Sequence, residues 1–433
     1  MSNKTMLDRT IAPPIKDARE FDVQLPLYRK QVLSNGVEVY AVDLGNEDAL
    51  MIAWIFDAGN SHEDQQGIAA AVSALLKNGT TKRSAFNINE HFEYYGAYLS
   101  RASHHETADV TLHCLSKHVS ELLPVVAEIL SDSVFPEEEL AIYKKNGQQR
   151  LQVNLKKSEF VAGRLIEAYL YGPEHPYGKY SRLEDFQALE RDALTAFYQQ
   201  HYAKGACRMI VAGRLPATLP EQLEQYFGKL PLHAPVATDP SKLPLIKPAV
   251  QKKYDIINDA DGVQGSIRIA RNFPNRHHPD FQKVQVLNNV FGGFFGSRLM
   301  TNIREDKGYT YGIYSYLLNN RQESALLIST EAGKEVTRAT IEEVYKEMEL
   351  LREEPVDEEE LAMARNFTIG TILGDLDGPF QVASRWKNLL LNGLDERYFY
   401  ESIRIVKTIT PEELQELAKK YLDPAAFYEL VVI

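Results

Sequence analysis

The chain has 433 residues, of which 44% are hydrophobic and 25% charged, and this is ordinary for a globular protein of two or more domains. Its formal net charge of −12 argues against nucleic acid as a partner, because a phosphate backbone requires a basic face. Cys114 and Cys207 lie far apart, so we expect two small core residues in a reducing compartment rather than a disulfide. No apolar signal segment opens the sequence and no stretch reaches the length of a membrane span, which predicts a cytoplasmic protein.

Segments typical of strands and segments typical of helices alternate irregularly in the first half. Residues rich in β-branched and aromatic side chains favour strands, and longer amphipathic segments favour helices. In chain order the sequence predicts strands at residues 37–42 and 51–56, a hairpin at 94–99 and 108–113, and helices at 122–130 and 194–202. Hairpins mixed with long helices predict an α+β fold, in which helices cover one face of a mainly antiparallel sheet.

The two halves repeat each other at a fixed offset. The acidic helix start at residues 137–141 recurs at residues 358–362, an offset of 221. A second pattern also occurs twice: a helix that ends in aromatic residues and leads into a strand. It is found at residues 197–211 and again at residues 417–432, at about the same offset. Two matches at a shared offset predict an internal duplication, with two homologous α+β domains.

Prolines mark the boundary between the halves. Five prolines fall within residues 231–248 and exclude a regular helix or a central strand there. We therefore predict a first domain at residues 25–230, a Pro-rich linker at 231–250 and a second domain at 251–433.

Residues 67–80 begin with a glycine, continue as an apolar helical run and end on Gly-Thr. This segment resembles the zinc helix of the pitrilysin/insulinase family of metallopeptidases, which includes the mitochondrial processing peptidases and carries an inverted His-x-x-Glu-His motif. The resemblance places the two histidines on Ala70 and Ala74 and the catalytic glutamate on Ser73. The family's third ligand, a later glutamate, aligns best with Arg150, which lies 76 residues after Ala74.

A zinc peptidase site needs three protein ligands and an open position for water. Alanine has no donor atom, a serine hydroxyl is too weak a base at neutral pH, and a guanidinium repels a dication. We therefore interpret Ala70, Ser73, Ala74 and Arg150 as a vacated zinc site, and the alternative is an ordinary Ala-rich packing helix. The incomplete motifs that begin at His62, His105 and His118 are expected to be solvated surface histidines.

The second half contains a longer motif, at residues 287–315. It resembles the family's second-domain signature Gly-Gly-x-x-Ser-Arg-Leu followed by Ile-Arg-Glu-x-x-Gly-x-x-Tyr-x-x-x-Ser, in which an arginine and a tyrosine reach the zinc site of the other half of the peptidase. By this resemblance Arg304 would hold the substrate backbone, and the Tyr311 hydroxyl would donate to the oxyanion of the tetrahedral intermediate. Substrate contacts are expected from the loop residues Gly292, Gly293, Gly296 and Ser297.

Other interpretations of this motif stay open. Arg304 can be one more charge on a solvated helix end, and Tyr311 can be a core aromatic residue in a chain with 23 tyrosines. The three glycines can form a tight helix-to-helix turn instead of a substrate loop.

The resemblance covers about residues 25–433 and implies two homologous α+β domains that face each other across a cavity. It predicts the non-catalytic subunit of a heterodimeric zinc peptidase, with no cofactor of its own. A homologous partner would bring the zinc, this chain would supply Arg304 and Tyr311, and the substrate would be a peptide or an unfolded polypeptide. The alternative is a structural or peptide-binding relative of the non-proteolytic core subunits of respiratory complexes. An active enzyme with an unrecognised site is a third possibility.

Overall fold

The computed structural model of the chain describes residues 16–236 and 244–433 and contains two mixed β-sheets flanked by helices. The predicted α+β fold is confirmed. The six-stranded first sheet has the order β1-β2-β6-β3-β5-β4, and all neighbours are antiparallel except β2 and β6. Its strands are β1 Arg29–Val32, β2 Glu38–Asp43, β3 Ala49–Phe56, β4 Tyr98–Ser103, β5 Ala108–Leu115 and β6 Cys207–Gly213.

The five-stranded second sheet repeats this topology. Its strands are β7 Lys253–Ile256, β8 Gln264–Phe273, β9 Thr310–Asn319, β10 Ser324–Gly333 and β11 Tyr428–Val432, in the order β7-β11-β8-β10-β9. The parallel pair β7 and β11 corresponds to β2 and β6, and the three antiparallel pairings that follow match those of the first sheet. The shared order supports the predicted duplication. In both sheets the last strand of this order, β4 or β9, lies at an edge.

The helices follow the same duplication. Those of the first half are α1 Ile68–Leu75, α2 Ala85–Tyr94, α3 Val119–Asp132, α4 Glu137–Asn154, α5 Ser158–Tyr171, α6 Leu183–Ala188, α7 Arg191–Tyr198 and α8 Leu219–Phe227. Those of the second half are α9 Phe281–Asn288, α10 Thr337–Glu353, α11 Glu358–Gly374, α12 Pro379–Leu391, α13 Glu396–Thr408 and α14 Pro411–Tyr421. The first residues of α5 and α12 lie 221 residues apart, as do those of α4 and α11.

Alternating side chains give the first sheet two apolar faces. Trp54 and Val211 point to the face that carries α1, α3, α7 and α8 from the same half. Ile55 and Ile210 point to the opposite face, where α12 of the second half packs through residues such as Trp386. The sequence pattern predicted helices on one face only, and the second face is also covered because the other half contributes a helix to it.

The second sheet makes the reciprocal exchange. Ile267 and Ile328 face helices of their own half. Leu327 and Leu430 face α5 of the first half, which buries Ile166 and other apolar side chains there. Each half therefore covers the sheet of the other with one helix, and burial of each such aliphatic side chain contributes about 1.5–3 kcal/mol.

Several predicted boundaries shift by a few residues. The hairpin begins at Tyr98 because Tyr94 ends α2, and the helix predicted to reach residue 202 ends in a π-helical turn at Gln199–Ala203. Residues 231–236 and 244–250 of the predicted linker contain no helix, and the rest of that linker lies outside the described residues. No helix within residues 16–236 and 244–433 has both the length and the apolar character needed to cross a bilayer.

Candidate functional site

The helix α1 begins at a sharp turn that a buried carboxylate caps. Gly67 precedes the helix with φ 91°, a left-handed conformation that favours glycine. The Glu63 carboxylate accepts hydrogen bonds from the backbone N–H groups of Gly67 at 3.1 Å and Ala69 at 2.9 Å. Burial raises the pKa of Glu63, and these two hydrogen bonds act in the opposite direction. Glu63 thereby satisfies N–H groups that a helix start leaves unpaired, a role that the sequence analysis missed.

Ala70 and Ala74, which correspond to the two histidines of the zinc motif, lie four residues apart on one face of α1, whereas Ser73 turns towards the core. Ala70 is exposed, Ala74 is half-buried, and Ser73 is only 4% exposed in the first-half core. Ala74 and Arg150 line one cavity of about 410 Å³ between α1 and α4. The structure therefore brings together the first-half residues that the family spacing aligns with two of the zinc ligands.

This cavity does not fit a zinc ion. Its lining has one carboxylate, Glu139, and that group accepts a hydrogen bond from the side-chain amide of Asn78 at 2.7 Å. Arg150 adds a positive charge where a metal would need a ligand. Across residues 16–236 and 244–433, no group of three or more His, Cys, Asp or Glu side chains is arranged to hold a metal ion.

The arginine and tyrosine of the second motif lie at the edge of the second sheet. A π-helical segment at Met300–Asp306 carries Arg304, and Gly308 ends it with φ +66°. The chain then enters β9, whose second residue is Tyr311. Because β9 is an edge strand and Tyr311 is 93% exposed, its hydroxyl is available to another molecule. The interpretation of Tyr311 as a core aromatic is therefore wrong.

Two aromatic rings hold Arg304. The centre of its guanidinium lies 4.5 Å from the ring centroid of Phe295 and 5.7 Å from that of Tyr311. Its side chain is 29% exposed and lies 3.7 Å from the Glu305 carboxylate, a weak ion pair with a neighbour in sequence. Cation–π contacts with both rings restrict the guanidinium and keep it next to the Tyr311 side chain. The sequence analysis did not identify Phe295.

The surface around Tyr311 is concave and rich in aromatic residues. A cavity of about 660 Å³ runs along β9. Its lining includes Tyr311, Tyr314, Tyr316, Gln264, Ser329 and Glu331. Such a surface can hold an extended chain through stacking and hydrogen bonds.

The predicted substrate-contact residues pack against their own protein. A Cβ atom on Gly292 would lie 2.8 Å from the Leu299 side chain, and one on Gly296 would lie 2.9 Å from the Met363 sulfur. A Cβ atom on Gly293 would approach Asn289 to 2.6 Å, and Ser297 is only 1% exposed. Close packing explains the glycines at this turn, and substrate contact by these four residues stays a prediction.

The same turn is anchored to α11. Arg298 makes a bidentate ion pair with Glu360, with N–O distances of 2.7 and 2.9 Å. Although burial disfavours the charged guanidinium, the Glu360 carboxylate produces a net rise in the pKa of Arg298. The pair fixes the loop that presents Phe295 to Arg304.

The two candidate surfaces belong to different halves. The cavity at Ala74 and Arg150 is lined by first-half residues alone, and the cavity at Tyr311 by second-half residues alone. Neither of these two cavities contains both the arginine–tyrosine pair and the positions of the zinc motif.

Known sequences and structures resemble this chain over most of its length. The profile described as "Insulinase (Peptidase family M16)" matches residues 41–174, and the profile described as "Peptidase M16 inactive domain" matches residues 188–367. A protein of Bacillus subtilis named "Uncharacterized zinc protease YmxG" is 24% identical over 395 residues, which cover 90% of this chain and 92% of that protein.

Two further comparisons involve proteins whose names do not describe a zinc protease. Mitochondrial ubiquinol-cytochrome-c reductase complex core protein I of Euglena gracilis is 24% identical over 270 residues, 61% of this chain and 53% of that protein. The crystal structure of a peptidase M16 inactive domain from Pseudomonas fluorescens shares the fold, with a TM-score of 0.83, 23% identity and coverage of 94% of this chain and 98% of that one. The profile matches, the relatives and the shared fold lead to one conclusion: the chain belongs to the pitrilysin/insulinase family, peptidase family M16.

Proposed function

We propose that this chain is the non-catalytic subunit of a heterodimeric zinc metallopeptidase and supplies Arg304 and Tyr311 to the active site of its partner. One observation carries the proposal: the pair lies at an exposed strand edge, with Tyr311 93% exposed, in a chain whose own zinc-motif positions hold no metal ligand. The Tyr311 ring contacts the restrained Arg304, and its exposed hydroxyl is free to reach another molecule.

The chemistry of the two side chains suits peptide hydrolysis at a neighbouring metal. The partner subunit would bring the zinc ion and the general base. Tyr311 would donate its hydroxyl hydrogen bond to the developing oxyanion, and Arg304 would hold the substrate carbonyl in place. Removal of one such oxyanion donor costs about 10²–10³ in kcat in other enzymes.

Partner-dependent peptide cleavage tests the proposal. The partner is a homologous protein with an intact His-x-x-Glu-His motif, and the substrate is a fluorogenic peptide. We expect Tyr311→Phe to lower kcat about 100-fold because only the donor is lost, and Arg304→Ala to lower kcat/KM by a similar factor. Isolated wild-type chain should show no turnover with added zinc.

Tyr94→Phe is a matched control, because Tyr94 is also a highly exposed tyrosine, 81% exposed, but lies on α2. It should leave turnover unchanged. Unchanged partner-dependent turnover in both Arg304→Ala and Tyr311→Phe would exclude the catalytic role.

A structural or peptide-binding function is the second candidate, and the similarity to core protein I of Euglena gracilis favours it. This function predicts stable association with a partner and peptide binding, without any dependence of catalysis on Arg304. The same variants therefore separate the two functions: association that persists without an effect on turnover supports the second one.

A further inference from the structure

One face of α4 presents hydrogen-bond donors to the cavity at Ala74. Asn146, Arg150 and Asn154 follow each other at intervals of four residues, so they lie on the same face of the helix. All three line the cavity of about 410 Å³, together with Ser181 from the segment before α6. The cavity at the vacated zinc position is therefore lined by side-chain hydrogen-bond donors.

These donors lack acceptors in the part of the chain that the structure describes. Among residues 16–236 and 244–433, the side chain of Arg150 makes no ion pair or hydrogen bond, and the side-chain amides of Asn146 and Asn154 make no hydrogen bond. The carboxylate of Glu139 is already engaged by Asn78. Burial raises the pKa of Tyr143 to about 12, so its hydroxyl stays protonated at neutral pH and is available as another donor.

The rest of the lining is apolar. It includes Ala74, Leu75, Ile142, Leu151, Phe160 and Phe186. A volume of about 410 Å³ lies within the usual range for sites that bind small groups. Beside the negative charge of Glu139, which accepts from Asn78, the cavity thus combines the positive charge of Arg150 and several neutral donors with an apolar wall. The donor-bearing face of α4 suits an anionic group attached to an apolar one.

We propose that this cavity is a carboxylate-binding site that takes the C-terminal carboxylate of a peptide through Arg150, with the last side chain of the peptide against the apolar wall. A guanidinium pairs with a carboxylate through two parallel hydrogen bonds. Arg150 is the one cationic side chain of the lining and Glu139 already contributes a negative charge, so a monovalent carboxylate fits better than a phosphate dianion. The inference depends on the proposed function in one respect: it takes the ligand to be a peptide.

Binding of matched peptides to the isolated chain tests this site without a partner. Three fluorescently labelled peptides share one sequence with an apolar end: the free acid, the C-terminal amide, and an amide with aspartate at the last position. We expect the free acid to bind about tenfold more tightly than the neutral amide at low salt, equivalent to about 1.4 kcal/mol. The difference should shrink at high salt, because Arg150 is exposed.

Variants of α4 assign the effect to one side chain. Arg150→Met keeps the length of the side chain and should abolish the preference for the free acid, whereas Arg150→Lys should keep part of it. Lys145→Met removes a charge from the same helix outside the cavity and should keep the preference in full. Circular dichroism checks that each variant is folded.

Each outcome has a definite meaning. Tight binding of the aspartate amide assigns the site to side-chain carboxylates as well, within the same chemistry. Equal binding of the free acid and both amides, or an unchanged preference in Arg150→Met, overturns the proposal. Arg304→Ala and Tyr311→Phe should keep the preference for the free acid. A failure of the carboxylate site and a failure of the proposed function can therefore be told apart.

Discussion

At the scale of single residues, Phe295 is the side chain with the clearest unexpected role. Its ring lies under the guanidinium of Arg304 and is 56% exposed. Together with Tyr311 it limits the positions that Arg304 can adopt. We regard Phe295 as a positioning residue that acts through Arg304.

A substitution pair tests this role. Phe295→Leu keeps apolar bulk but removes the aromatic face, and we expect about a fivefold loss of partner-dependent kcat/KM, since an exposed cation–π contact is worth about 0.5–1 kcal/mol. Phe295→Tyr keeps the aromatic ring and should retain wild-type activity. Steady-state kinetics with the partner measures both, and an equal loss in the two variants would assign Phe295 to packing alone.

The sequence was enough to predict which residues form the candidate site, but not how exposed each of them is. The seven-residue interval between Arg304 and Tyr311 is visible in the printed chain, whereas the exposure of Tyr311 depends on β9 lying at the edge of its sheet. Strand order results from pairings between distant segments, which local patterns do not encode. The cap that Glu63 provides was missed for another reason. Glu63 precedes the helix by several residues, and this spacing is not one of the standard capping patterns.

At the scale of elements, α5 carries a carboxyl group into the contact between the two halves. Glu167 lies on this helix, and burial raises its pKa from 4.5 to about 7. Burial also raises the pKa of Tyr171, one turn further along, and the charge of Glu167 adds to this effect. A charged Glu167 therefore weakens the packing of α5 on the second sheet.

The pH dependence of stability follows from this shift. Because the pKa is raised in the folded state, the folded protein binds the extra proton between pH 4.5 and about 7, and the free energy of unfolding falls as the pH rises through that window. Glu167→Gln should remove this slope and increase stability above the window by up to about 3 kcal/mol.

Urea unfolding at about pH 4 and about pH 8 measures the effect. Glu159→Gln, an exposed position on the same helix, is the control and should retain the wild-type slope. Parallel pH profiles for wild type and Glu167→Gln would show that the carboxyl is solvated in the folded protein.

The elements themselves were largely predictable, and their contacts were not. The offset of 221 residues indicated two similar halves, and both sheets have the same strand order. Nothing in the apolar pattern of α5 or α12 shows that each packs on the sheet of the opposite half, because an apolar helix face is compatible with either sheet.

At the scale of the whole molecule, the exchange of α5 and α12 joins the halves through their cores. Trp386 of α12 is 1% exposed. Its indole N–H donates to the carbonyl of Pro26 at 2.8 Å, and its ring packs edge-on against Tyr28 at 4.6 Å. A residue of the second half is thus a central core residue of the first.

Trp386→Ala should therefore destabilise both halves together, by about 3–5 kcal/mol. The chain has two tryptophans, so the variant leaves Trp54 as the fluorescent reporter of the first sheet, while circular dichroism follows the entire chain. We expect one transition that both probes share, at a lower denaturant concentration than in wild type. Val263→Ala, at a 78% exposed position of the second half, is the control. Two separate transitions would show that the halves unfold independently.

The helix exchange also has a consequence during protein synthesis. The last strand of the first sheet ends at Gly213, but the helix that covers its second face ends at Leu391. At about 5–20 residues per second, a ribosome needs roughly 10 to 35 seconds to translate the intervening segment. For that time the nascent chain carries an uncovered apolar surface, so we expect its yield in cells to depend on chaperones that bind before translation is complete.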